Sequence, residues 1–195
     1  DNKDLWRMAL DPATAKARPW PAPFDSAPVL QSPAPDAMTV TVAVNAISTA
    51  WVEYGTTESL GSRADDSRHG LLPLSGRVHR IRLTGLAPRT RYFYRVMVCP
   101  IDFRSAYKIS RSKPVAGGVR SFTTLDNGLG GAASFAVIND THETPETLTG
   151  VTSLLSRRPS DLTFWNGDIF NDVRSDDQIV GQIMRPADSE YAAQT

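Results

Sequence analysis

From Met38 to Phe122 the apolar residues of this chain recur at every second position, with no sustained helical spacing. Val40, Val42 and Val44 alternate with Thr39, Thr41 and Ala43, so the valines share one face of a strand. Trp51-Val52-Glu53-Tyr54 follows and stops at Gly55, a turn residue. A polar loop spans roughly 56–70, Val78 to Leu83 reads as another strand, and Tyr92, Tyr94, Val96 and Val98 alternate again. Val119-Arg120-Ser121-Phe122 closes the set. Short strands separated by turn signals predict an all-β sandwich of about 90–100 residues.

Ahead of it, residues 1–37 carry seven prolines, from Pro12 to Pro35, which rule out a continuous helix. That stretch reads as an extended arm leading into a first strand near Val29-Leu30. After the sandwich, Asp126-Asn127-Gly128-Leu129-Gly130-Gly131 is a hinge, because Gly and Asn tolerate backbone angles that other residues resist. The pattern then changes class. Phe135-Ala136-Val137-Ile138 is a continuous apolar run, as expected of a strand buried on both faces. Leu148, Val151, Leu154 and Leu155 place a helix over 145–157, with Thr144 as N-cap before Pro145. Leu162-Thr163-Phe164-Trp165 is a second strand, which makes a βαβ unit with two parallel neighbours. The expected organisation is an arm over 1–25, a sandwich over 26–125, a linker over 126–133 and an α/β part over 134–195.

The residues able to do chemistry follow the two parallel strands. Asp140, Thr141 and His142 come after the first, and Asn166, Gly167 and Asp168 after the second. Ligands of open α/β sheets bind at the carboxyl ends of strands. In extended backbone, Asp140 and His142 leave on the same side, and a converging carboxylate and imidazole suit Zn, Fe or Mn. Asp168, from the neighbouring strand, could reach the same place.

Two segments carry family resemblances. Leu86-Ala87-Pro88-Arg89-Thr90-Arg91-Tyr92-Phe93-Tyr94 resembles the Leu-x-Pro-x-Thr-x-Tyr-x-Tyr signature of fibronectin type III domains, over roughly 26–125. The resemblance implies that the Tyr92 hydroxyl bonds to upstream backbone at a corner. Val137-Ile138-Asn139-Asp140-Thr141-His142 and Asn166-Gly167-Asp168-Ile169-Phe170-Asn171 resemble the first two blocks of the calcineurin-like metallophosphoesterases. A fibronectin-like domain before such a core is the arrangement of purple acid phosphatases. The expected fold is thus a β-sandwich followed by the first βαβ portion of a metallophosphoesterase α/β sandwich.

By that resemblance Asp140 and His142 would ligate one metal ion and Asp168 would bridge two ions of Fe, Zn or Mn. The implied reaction is phosphate ester hydrolysis by a hydroxide held on the pair. Purple acid phosphatases place a tyrosine three residues after the bridging Asp, where this chain has Asn171, so the tyrosinate colour is not expected and Asn171 is the candidate metal residue at that position. The family's Gly-Asn-His block and its later histidine motifs are absent after Asp168. The expectation is a phosphoesterase parent and an inactive or weakly active chain, completed by a further segment or a second chain. The competing expectation is a non-catalytic extracellular binding or adhesion module that uses the sandwich.

Other features exclude or leave open. Lys plus Arg and Asp plus Glu balance at 21 each, which offers no overall electrostatic footprint for nucleic acid. No apolar run approaches the ~20 residues of a spanning helix. Cys99 is the only cysteine and, in a strand pattern, reads as a small buried hydrophobe. His69 and His79 read as solvated or structural. Asp1 in place of Met fits removal of a secretory signal and equally a cut fragment; a secreted or periplasmic location is the expectation.

Overall fold

The computed structural model describes residues 22–128, 134–142, 144–158 and 160–185, so most of the expected arm and most of the expected linker lie outside the described residues. Two antiparallel sheets form a sandwich. The smaller holds β1 (Val29–Gln31), β2 (Ala37–Ala43) and β5 (Val78–Thr84), with β2 in the middle. The larger holds β3 (Ser48–Gly55), β4 (Ser62–Ala64), β6 (Arg91–Ser105), β7 (Lys108–Arg111), β8 (Val115–Ala116) and β9 (Arg120–Thr123).

The long strand β6 organises the larger sheet. It pairs with β3 along one edge, from Phe93 to Pro100, while β9, β8 and β7 pair in turn along the other. The polar loop expected over 56–70 contains β4, and β7 and β8 were not visible as strands because their residues lack an apolar alternation. Gly55 is where the chain leaves β3. A Cβ there would meet the Leu60 carbonyl oxygen at 2.2 Å, so no larger residue fits that turn.

The valines of β2 enter the core with Met38, Ile81, Leu83, Tyr94, Val96, Val98 and Phe122. Phe122 stacks on Tyr92 at 5.8 Å and tilts against Tyr94 at 5.7 Å. Cys99 is buried and unpaired, its thiol directed at the Ser112 carbonyl. Phe24, ahead of the expected sandwich, also lies in the core and bridges to Val44.

Leu86–Tyr94 forms the expected corner: the Ala87 N–H donates to the Tyr92 hydroxyl oxygen at 3.0 Å. Tyr92→Phe should cost about 1–2 kcal/mol, since it strands that partly buried amide without an acceptor. Equilibrium urea unfolding of the two forms checks this; an unchanged midpoint would remove the corner from the stability account.

His79, on β5, points inward and meets Ser48, on β3, with Nε2 3.0 Å from the hydroxyl. It therefore links the two sheets from a buried position. Burial holds the His79 pKa below its ordinary 6.5, because a charged imidazole loses its water there. As pH falls through that value the unfolded chain takes up a proton that the folded chain resists, so stability declines toward acid and is fully present above it. His79→Asn should flatten that part of the profile. The check is the unfolding midpoint of both proteins between neutral and mildly acid pH; parallel profiles would rule the effect out.

The outer face of the smaller sheet is buried too, so every residue of β2 is inaccessible. Ala43 packs with Val180 and Met184, bordered by Val29 and Val78. Val180 and Met184 belong to a short helix, α2 (Asp176–Ile179), that continues as a π-helical turn over Val180–Met184. Its start is secured by Ser175 and Gln178, each bonding to the other's backbone. A cleft of about 660 Å³ lies beside this contact, with Leu30, Met38, Phe164 and Ile183 among its lining.

Between sandwich and α2 lies the βαβ unit. β10 (Phe135–Ile138) pairs in parallel with β11 (Leu162–Trp165), and α1 (Pro145–Arg157) connects them. Asp161 ties their entrances, accepting from the Ser134 N–H at 2.7 Å and hydroxyl at 2.8 Å. These bonds hold its carboxyl below the usual carboxylate range. Thr144 is the N-cap of α1, in extended backbone, though no side-chain bond closes the cap.

The helix lies where its spacing predicts, with one difference in its buried face, and one expectation about β10 fails. Leu148 and Leu155 are buried on α1, but Leu154 is exposed and Thr152 takes its place, bonding the Leu148 carbonyl. Leu148, Thr152 and Leu155 follow one helix face, whereas Leu154 turns away from it. Strand β10 is not buried on both faces: Phe135 and Val137, with Phe164 of β11, are more than half exposed. Phe135 and Phe164 meet edge to face at 5.9 Å, and Phe164 also borders the cleft beside Leu30 and Ile183.

Candidate functional site

Both parallel strands end in loops that interlock through the backbone. The Asn166 N–H bonds the Ile138 carbonyl at 2.7 Å, the Asp140 N–H bonds Gly167 at 3.3 Å, and the His142 N–H bonds Asp168 at 3.0 Å. The pairing that starts as a regular ladder thus continues past the strand ends. It forces unusual backbone angles: φ is 59° at Asp140, 43° at His142, 92° at Gly167 and 45° at Asp168. Only Gly adopts such angles freely, and strain of this kind costs of order 1–3 kcal/mol per residue. Asp140, His142 and Asp168 are three of the seven non-glycine residues with positive φ among the described residues; the other four, Ser32, Leu60, His69 and Arg89, lie singly in the sandwich.

The side chains divide. Asp140 and His142 meet, with Oδ1 2.7 Å from Nε2. They do so from left-handed backbone, not from the extended conformation that spacing predicts, because the amide bonds to the Gly167–Asp168 loop set the local angles. His142 Nδ1 is buried without a hydrogen-bond partner among the described residues, and so is the hydroxyl of inaccessible Thr141. Asp168 is brought to the neighbouring loop by its carbonyl, its side chain exposed. Asn171 is exposed on the segment leading to α2.

For a metal, the donors suit in kind but not in number. A carboxylate and an imidazole in contact, with a further carboxylate one loop away, match the preferences of Zn, Fe or Mn. Among the described residues, however, no group of three or more His, Cys, Asp or Glu side chains converges as a metal site. His69 and His79 stand in the sandwich, outside these loops.

Fold and site define a class: an antiparallel β-sandwich followed in the chain by a parallel βαβ unit whose strand-end loops carry Asp140, His142 and Asp168. Residues 26–124 match the family described as the purple acid phosphatase, N-terminal domain, and the chain belongs to that family. No curated protein matches its sequence. Its fold is similar to the structure of PhoD, with 12% identity and a TM-score of 0.52 over 88% of this chain and 37% of that one. It is also similar to the purple acid phosphatase PPD1 isolated from yellow lupin (Lupinus luteus) seeds, with 16% identity and a TM-score of 0.51 over 73% of this chain and 29% of that one. The chain therefore spans little more than a third of the longer match, and the likeness at this identity is one of fold.

Proposed function

We propose that this chain is part of a metal-dependent phosphoesterase, in which the sandwich supports an α/β phosphatase unit. The observation carrying the reading is the backbone interlock that holds Asp140, His142 and Asp168 in left-handed conformation at the carboxyl ends of two parallel strands. Ser32, Leu60, His69 and Arg89 share such angles singly in the sandwich, but only at the strand ends do three occur together and bond across two loops, as functional loops do. In this reading Asp140, His142 and Asp168 are metal ligands, with Asn171 close to the group, and the remaining donors come from polypeptide beyond the described residues or from a second chain. Ions of the Fe, Zn or Mn type would supply charge to a phosphoryl oxygen and acidify a water. The interlock keeps the two loops in register, while the Asp140–His142 contact would open and the Asp168 side chain would turn inward for the three to share an ion.

The bare face of Phe135, Val137 and Phe164 fits the same reading, since parallel strands are ordinarily covered on both sides. The test is to express this chain and its full natural reading frame, then measure bound Fe, Zn and Mn by elemental analysis and hydrolysis of p-nitrophenyl phosphate. Metal and turnover in the longer protein, with little of either in this chain, support the proposal. A longer protein that binds no metal, or a frame that adds nothing, sinks it in favour of a binding module.

A further inference from the structure

Strand β6 outruns its partner. Its pairing with β3 ends at Pro100, yet the strand continues to Ser105 and returns as β7, pairing Phe103 with Ile109 and Ile101 with Arg111. The result is a two-stranded ribbon projecting past the sandwich, and every residue from Asp102 to Pro114 is exposed. A lone ribbon of this kind gains little from its own pairing. Polar side chains would suit such a place, yet three large ones are apolar or aromatic. Phe103 and Ile109 are 53% and 54% exposed and face each other across the ribbon, and Tyr107 at the turn is 98% exposed.

The charge there is one-sided. Residues 101–113 contain Arg104, Lys108, Arg111 and Lys113 against the single carboxylate of Asp102, in a chain whose charges balance as a whole. Asp102 is engaged by Arg104 at 2.7 Å. Lys108, Arg111 and Lys113 have no ion pair among the described residues; Lys108 and Arg111 flank the apolar pair in the register, and Lys113 follows the end of β7. The four cations are close in sequence, and the ribbon's pairing sets them beside Phe103 and Ile109.

We propose that this ribbon is a docking finger for an anionic lipid surface. Phe103 and Ile109 enter the boundary between headgroups and acyl chains, Tyr107 sits at the headgroup level with its ring inward and hydroxyl in water, and the cations meet anionic headgroups. The pairing of an aliphatic with an aromatic residue favours lipid over nucleic acid. A single-strand-binding surface stacks bases on successive aromatic rings, and Ile109 has no ring to offer.

The test is co-sedimentation of this chain with vesicles of phosphatidylcholine alone and of phosphatidylcholine mixed with phosphatidylglycerol, at low and high salt. Binding should require phosphatidylglycerol and weaken with salt. A variant carrying Lys108→Glu, Arg111→Glu and Lys113→Glu should bind at least about tenfold more weakly. Phe103→Ser with Ile109→Ser should also lose binding while circular dichroism shows an unchanged sandwich, which separates insertion from mere attraction. The proposal is overturned if sedimentation is the same with both vesicle types, or if the charge variant binds as the parent does. It is overturned equally if single-stranded DNA binds more tightly than vesicles and the Phe103/Ile109 variant keeps that affinity.

Discussion

Asp25→Ala should lower the unfolding free energy by about 3–5 kcal/mol, the cost of removing one partner from a buried ion pair. The Asp25 carboxylate is nearly inaccessible and holds two guanidinium groups. Arg77 reaches it from the entrance of β5, and Arg185 places Nη2 2.9 and 3.0 Å from its two oxygens. Arg185 Nε also donates to the Asp25 carbonyl at 3.3 Å. Asp177, exposed, gives Arg77 a second carboxylate. Alanine at 25 therefore leaves Arg185 in a mostly buried position without its counter-charge.

The loss should be structural as well as energetic. Arg185 follows the turn that brings Val180 and Met184 onto Ala43, so the same substitution loosens the cover on the outer face of β2. Arg185→Ala should cost less, because Arg77 still neutralises Asp25 and no charge is stranded. Urea unfolding followed by fluorescence and far-ultraviolet dichroism distinguishes these cases. A change under about 1 kcal/mol for Asp25→Ala would place the cluster among screened surface pairs, which are worth little.

In the full reading frame, Asp168→Ala should abolish metal retention and reduce p-nitrophenyl phosphate turnover by more than about a hundredfold, exceeding the 10–100-fold typical when only a ligand's supporting residue is lost. This prediction rests on the proposed role of Asp168. A structural role makes a different forecast. The loop bond from the His142 N–H runs to the Asp168 carbonyl, which alanine retains, so the interlock should survive substitution. Intact dichroism together with lost metal therefore assigns the side chain to ligation. Retained metal and turnover would remove Asp168 from the site, and unfolding would be told apart by the dichroism itself. Asp140→Ala is the companion case, breaking the contact with His142 as well.

Much of the local structure was legible because it depends on neighbours in sequence. Period-two alternation located β2, β3, β5 and the first part of β6, since successive residues of a strand point to opposite faces. The 145–157 helix was found at its observed bounds from a proline at the first turn and an apolar stripe. The corner at Tyr92 followed from a local segment, and so did the strand, helix, strand order that puts Asp140 and Asp168 on adjacent loops.

Relations between distant segments were not legible. Alternation in β2 marks two faces, but it cannot say that the face of Thr39, Thr41 and Ala43 is buried as well; that is decided by a turn about 140 residues later in the chain. The ion cluster joins residues 25, 77 and 185, whose side chains carry no trace of one another in sequence. Ribbon β6–β7 was hidden because exposed strands lack an apolar period. The strained angles at Asp140, His142 and Asp168 arise from hydrogen bonds across two loops, not from the residues' own preferences. Local pattern was thus enough for the kind of most segments and for which residues follow the parallel strands. Which faces are covered, which charges meet and which backbone is strained came from the folded chain, because those depend on contacts between distant segments whose closure no local pattern encodes.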